Sequence, residues 1–220
     1  MEKTLSKINR RNFLKLSSIT GTGLVLGLSL KADKSFGKVA KQGENEDLFN
    51  ITPFVMIEKN GAITIFNIKP EMGQGTFQSI PSLIAEVLEV TLDQVIIKQT
   101  GGEKKFGNGQ GAGGSSSVRS SYMNLRKVGA SAKEMLMTAA ASQWKVPVEE
   151  CYASEAKVFH KPSGKSVTYG EVAEQASTLA VPASPKLKDP KYFTILGKDV
   201  PRPDVPLKVS GKAIFGIDVD

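Results

Sequence analysis

The sequence predicts an α+β fold: a mixed sheet with a β-hairpin, two main helices packed on it, and a Pro-rich extended C-terminal segment. Three observations carry this. Alternating apolar runs flank Asn60-Gly61 in "FVMIEKNGAITIFNI", and both turn residues tolerate positive φ, the strongest short-range hairpin signal. Apolar residues recur at helical spacing in two later stretches. Prolines then become frequent from Val181 to Pro206.

The elements follow in chain order. A polar linker, "KVAKQGENED", precedes a folded part that begins near Phe49. "TFQSIPSLIAEVLEV" reads as a helix with Ile80, Leu83, Ile84, Val87 and Leu88 on one face. Pro81 fits such a helix only near its first turn, where no intrahelical donor is lost. "QVIIKQT" is a compact β-run that should join the hairpin's sheet. Residues 101–117 form a Gly/Ser-rich loop. A long helix then runs from Val118 to about Trp144, with Leu125, Val128, Ala132, Leu136 and Ala139 on one face and Arg119, Arg126, Lys127 and Lys133 elsewhere. "YASEAKVFHKPSGKSVTYGEVAEQAS" reads as a hairpin across Pro162-Ser163-Gly164 followed by a short helix near Tyr169 to Ala176. The last run, "KAIFGIDVD", reads as a strand. This divides the chain into residues 1–40, an export signal; 41–180, the α+β part; and 181–220, a connector ending at the start of a further domain.

Composition bounds the function. The chain has 220 residues, 40% hydrophobic and 23% charged, enough for one or two domains with a core. The net charge of +7 is uneven, with Lys3, Lys7, Arg10, Arg11 and Lys15 crowding the N-terminus. No basic stripe interleaved with aromatics marks a nucleic-acid surface. A single cysteine, Cys151, excludes an intramolecular disulfide and any multi-cysteine zinc or iron–sulfur site. It reads as a buried small hydrophobe. The single histidine, His160, reads as solvated or hydrogen-bonded, so no metal ligands are assigned. At the N-terminus, "NRRNFLK" places Arg10-Arg11 before the modestly apolar "LSSITGTGLVLGLSL", and polar "KADKSFGK" follows. That order is the signal-peptide pattern, and the paired arginines point to the twin-arginine route and a periplasmic or exported destination.

Two glycine-rich turns stand at helix starts: "EMGQG" at 71–75 and "GGSSS" at 113–117. Glycine lets backbone approach a ligand closely, and helix N-termini present free N–H groups to anionic or strongly hydrogen-bonding partners. Gln74 can donate and accept, as recognition of a heterocycle edge requires. Neither turn matches the Walker loop or the dinucleotide fingerprint. Turns of this kind are also ordinary helix starts.

Five features in order, "NRRNFLK", "EMGQG", "GGSSSVRSS", "LKDPKYFTILGK" and "PRPDVPLKVSGKAIFGIDV", resemble the molybdopterin-binding subunits of the xanthine dehydrogenase and aldehyde oxidase family, in the isoquinoline 1-oxidoreductase beta-subunit branch. The resemblance covers the N-terminal portion of much longer family members. It implies hydroxylation of N-heterocycles or aldehydes, with electrons leaving through a [2Fe–2S] small subunit. It also implies that the Met-Gly-Gln turn (Met72, Gly73, Gln74) and the seryl turn (Gly114, Ser115, Ser116, Ser117) hold molybdopterin, whose form in bacterial-type relatives is the cytosine dinucleotide. The family's glutamate base lies in a Gly-Glu motif towards its C-terminus, and no comparable stretch occurs here. No catalytic residue is therefore assigned, and Glu71 is expected to support the turn. The chain thus reads as the N-terminal part of an exported molybdenum hydroxylase that needs the remaining portion of the subunit. The alternative is a stand-alone exported α+β binding protein without catalysis.

Overall fold

The Asn60-Gly61 signal closes the hairpin as expected. Gly61 takes φ 93°, its N–H donates to the Glu58 carbonyl at 2.9 Å, and Asn60 Oδ1 accepts the Ala62 N–H at 2.8 Å. In the computed structural model, which describes residues 48–218, the turn joins β2 (Val55–Glu58) to β3 (Ile63–Asn67). β1 (Leu48–Thr52) lies antiparallel on the outer side of β2. β4 (Val95–Gln99) pairs parallel with β3, giving a mixed sheet in the order β1-β2-β3-β4. A parallel neighbour demands a crossover. Here the crossover is helix α1 (Thr76–Leu88), and the first glycine turn fills the gap between β3 and α1.

Beyond the Gly/Ser-rich loop runs the long helix α2 (Ser117–Trp144). It crosses α1 at Gly129, where an added Cβ would stand 2.5 Å from the Ile84 carbonyl oxygen, so the backbones touch where only glycine fits. The expected face of α1 is buried without exception (Ile80, Leu83, Ile84, Val87, Leu88), and Leu125, Ala132, Leu136 and Ala139 meet it from α2. Full burial of each large side chain contributes roughly 1.5–3 kcal/mol.

The sequence differs from the structure in four places. A second, three-stranded sheet of β5 (Cys151–Ser154), β6 (Lys157–His160) and β7 (Ser166–Thr168) replaces the expected single hairpin. The added β5–β6 turn uses Glu155 and Ala156 at φ 48° and 59°, left-handed residues without a glycine to announce them. Pro81 is the sixth residue of α1 instead of a first-turn one, because the helix begins at Thr76. Arg126 faces the interior at 5% exposure. Finally, "KAIFGIDVD" forms no strand among the described residues: only a 3-10 turn at Gly216–Asp218 occurs, since alternation without a ladder partner leaves backbone groups unpaired.

After β7, helix α3 (Tyr169–Ser177) starts on a capping box in which Glu171 Oε2 accepts the Thr168 N–H at 2.8 Å. Tyr169 is buried and donates its hydroxyl to the Leu88 carbonyl at 2.7 Å, tying α3 to the end of α1. The Pro-rich stretch carries a 3-10 turn at Pro190–Tyr192 and the short helix α4 (Val205–Val209). Among the described residues no helix is long and apolar enough to cross a membrane. The expected export signal at 1–40 lies outside the described residues.

Candidate cofactor-binding site

The first glycine turn is built around one carboxylate. Glu71 Oε1 accepts the N–H groups of Gly73 at 2.7 Å and Gly75 at 3.1 Å, and Oε2 accepts that of Phe77 at 2.7 Å. The Thr76 hydroxyl adds a contact at 3.3 Å, and the Arg202 guanidinium pairs with Oε1 at 3.6 Å. Burial pushes the Glu71 pKa up, but the donors of Phe77, Gly75, Gly73 and Thr76 outweigh it and hold the carboxyl below its ordinary 4.5. Glu71 thus stands in for the missing side-chain cap of α1 and supports the turn. Gly73 and Gly75 adopt φ 100° and 90°, which the bend requires.

Gln74 also serves the turn. Its Oε1 accepts the Met72 N–H at 2.6 Å, while Nε2 donates to the Pro70 carbonyl at 2.7 Å and to Thr76 Oγ1 at 3.2 Å. On the outer surface lie Met72, 73% exposed, Gln74, and Gly73, where an added Cβ would meet nothing within 4 Å.

The second turn is looser. Gly114 and Ser115 are both left-handed, at φ 57° and 52°. The Ser116 hydroxyl and N–H both donate to the Gly113 carbonyl, at 2.8 and 3.2 Å, and no side chain caps α2. Its first-turn N–H groups therefore carry the partial positive charge of a long helix without a side-chain acceptor. Cβ atoms added at Gly111, Gly113 or Gly114 would meet nothing within 4 Å. Next to this loop, Gln110 Oε1 is buried and unpartnered, although its Nε2 donates to the Glu103 and Gly107 carbonyls.

Lys69 links the segment before the first turn to the loop before the second. It is 5% exposed, stands two residues before Glu71, and donates Nζ to the Gly111 carbonyl at 2.9 Å. Beneath it, at the carboxyl ends of the parallel strands, Asn67 Nδ2 donates to Gln99 Oε1 at 2.8 Å and to the Lys69 carbonyl at 2.8 Å. A groove of about 560 Å³ opens where residues 193–200, with Phe193 and Ile195, meet Gln78 and Ser79 of α1 and Val118 and Tyr122 of α2, and none of the predicted residues at 72–74 and 114–117 lines it. Sequence reasoning missed Lys69 and Arg202. A lysine before a proline carries no signal, and Arg202 lies more than a hundred residues from the turn it holds.

The single histidine and the single cysteine lie elsewhere, in the second sheet. His160 is buried, with Nδ1 2.7 Å from Ser163 Oγ and Nε2 2.8 Å from Glu150 Oε2. Cys151 is buried and its thiol is pushed up by that burial. No group of three His, Cys, Asp or Glu residues able to hold a metal occurs among the described residues. The two turns together offer open glycine backbone, an uncapped helix start and, beside them, an orphaned amide oxygen. These features fit a large group with hydrogen-bonding edges and an anionic end.

Comparison with known proteins shows the family of the chain. The model of the molybdopterin cofactor-binding domain matches residues 21–216. The isoquinoline 1-oxidoreductase subunit beta of Brevundimonas diminuta is 27% identical over 97% of this chain and 32% of its own length. The membrane-bound aldehyde dehydrogenase [pyrroloquinoline-quinone] of Gluconacetobacter polyoxogenes is 26% identical over 97% of this chain and 28% of its own. Among solved structures, quinoline 2-oxidoreductase from Pseudomonas putida 86 aligns at TM-score 0.41 and 22% identity, covering 54% of this chain and 15% of that one. The chain spans about a third or less of the curated relatives it matches.

Proposed function

The chain belongs to the molybdopterin cofactor-binding domain family, and from that premise we propose that it supplies the N-terminal part of the cofactor cradle of an exported molybdenum-dependent oxidoreductase. The names of its relatives support a substrate class of N-heterocycles or aldehydes. Met72, Gly73 and Gln74 from the first turn and Gly114, Ser115, Ser116 and Ser117 from the second receive the group. Molybdopterin, when bound, supplies a redox-active molybdenum centre. The protein's part is to bind and orient. Gly73 and Gly114 leave room for close approach, and the uncapped start of α2 takes an anionic end, such as a phosphate of a cytosine dinucleotide form. Glu71 holds the first turn and takes no proton from substrate, because its oxygens already accept three backbone N–H groups.

The observation that carries this reading is the Lys69–Gly111 bond, which holds the segment entering the first turn against the loop that leads into the second. Completion requires the remaining portion of the molybdenum subunit and a [2Fe–2S] small subunit, and the isolated chain does not turn over substrate. The twin-arginine translocase carries the folded protein to the periplasm, directed by Arg10 and Arg11.

The test is molybdenum and pterin content of the exported protein, purified from a host that makes the cofactor, with and without the polypeptide that completes the subunit. Stoichiometric molybdenum in the completed form is expected. No molybdenum in either preparation would overturn the assignment.

A further inference from the structure

We propose that residues 188–204 form a strap through which Glu86 sets the geometry of the turn at 71–76, making Glu86 and Arg202 positioning residues for the site. Glu86, in the third turn of α1, has a side chain with 0% exposure. It is a buried carboxylate that α1 alone cannot satisfy. The strap satisfies it: Oε2 accepts the N–H groups of Thr194 at 3.0 Å, Ile195 at 2.7 Å and Leu196 at 2.9 Å, and Lys188 Nζ reaches Oε1 at 2.8 Å. Three consecutive backbone donors aimed at one carboxylate fix a segment in register, not merely in contact.

The strap is pinned again on both sides of this point. Arg126 lies with its guanidinium carbon 5.0 Å from the Tyr122 ring centre and 5.1 Å from that of Phe193, and donates to the Lys188 carbonyl at 2.7 Å. Further on, Gln78 Nε2 donates to the Val200 carbonyl at 2.7 Å. Two residues later Arg202 arrives at the turn, donating to the Gly73 carbonyl at 3.4 Å and pairing with Glu71 at 3.6 Å. Asp204 locks that guanidinium at 3.1 and 2.7 Å, so Arg202 meets the turn in one orientation. A rigid path thus runs from a buried carboxylate in the third turn of α1, out along the strap, and back to the glycines that precede the same helix. The glycines supply the freedom to bend, and the strap selects one bend. This concerns how the turn is held and does not depend on which group it receives, so its test and the molybdenum measurement fail independently.

Hydrogen exchange on the full chain tests it, read at the Gly73, Gly75 and Phe77 amides bound by Glu71. Glu86→Gln is expected to speed exchange at Ile195 and Leu196 and also, by roughly tenfold or more, at the three turn amides, while the β5–β7 sheet is unchanged. Arg202→Met should free the turn amides but leave Ile195 and Leu196 protected, and Arg202→Lys should restore part of the protection. Should Glu86→Gln fail to fold, Gln78→Met removes the Val200 contact without touching a buried charge and should loosen the turn in the same direction. Turn amides that keep wild-type protection while the strap is freed would overturn the proposal.

Discussion

The two glycine turns look alike in sequence and differ in how much is settled before any ligand arrives. The first is braced by side chains: Glu71, Gln74 and Arg202 bond the backbone of residues 70–77. The second is held by one serine, with Lys69 bonded to the loop two residues ahead of it and its helix start uncapped. A preorganised turn gives shape at little cost on binding, whereas an open one gives donors that must still be ordered. In the proposed cradle one site combines both.

The largest break in this contrast is Glu86→Ala. It leaves Lys188 buried beside fewer acceptors and strands the three strap N–H groups, so a loss of about 3–5 kcal/mol is expected in chemical denaturation. Gly129→Ala strikes the scaffold under both turns by forcing α1 and α2 apart, at about 1–3 kcal/mol on thermal melting. Glu71→Gln sharpens the comparison, because it should cost about 1–3 kcal/mol and loosen the first turn only. Ser116→Ala removes a single exposed contact, and at most about 1 kcal/mol should be lost.

The pH dependence separates the turns as well. Burial raises the pKa of Glu71 and of Glu86, but backbone N–H donors (and, for Glu86, Lys188) bring both below the ordinary 4.5. Groups depressed on folding contribute stability above their unfolded pKa and lose it as pH falls through the folded value. Acidification below about 4.5 should therefore loosen the first turn and strap before the seryl turn, which carries no carboxylate. NMR amide intensities across an acid titration check this order.

Local chemistry made much of the fold legible. Asn60-Gly61 announced its hairpin, and the 3.6-residue period announced α1 and α2. What stayed hidden was non-local or unmarked. Glu155 and Ala156 turn left-handed with no glycine, so β5 was not separated from β6. Arg126 looked like a solvent-face residue until Tyr122 and Phe193 closed around it. For the site, the two glycine stretches could be read as ligand-facing turns. The bonds that hold them could not, because a lysine before the first turn finds its acceptor 42 residues away in the loop before the second, and an arginine 129 residues on reaches the first turn's Gly73 carbonyl.

The central claim is that both turns face one ligand. The most direct test is amide hydrogen exchange on the completed subunit, made in hosts with and without molybdenum-cofactor synthesis and compared at residues 73–77 and 113–117. Protection should rise at both turns in the loaded protein, more at 113–117, where the helix start is still uncapped. Stoichiometric molybdenum with protection gained at one turn alone, or at neither, would contradict it.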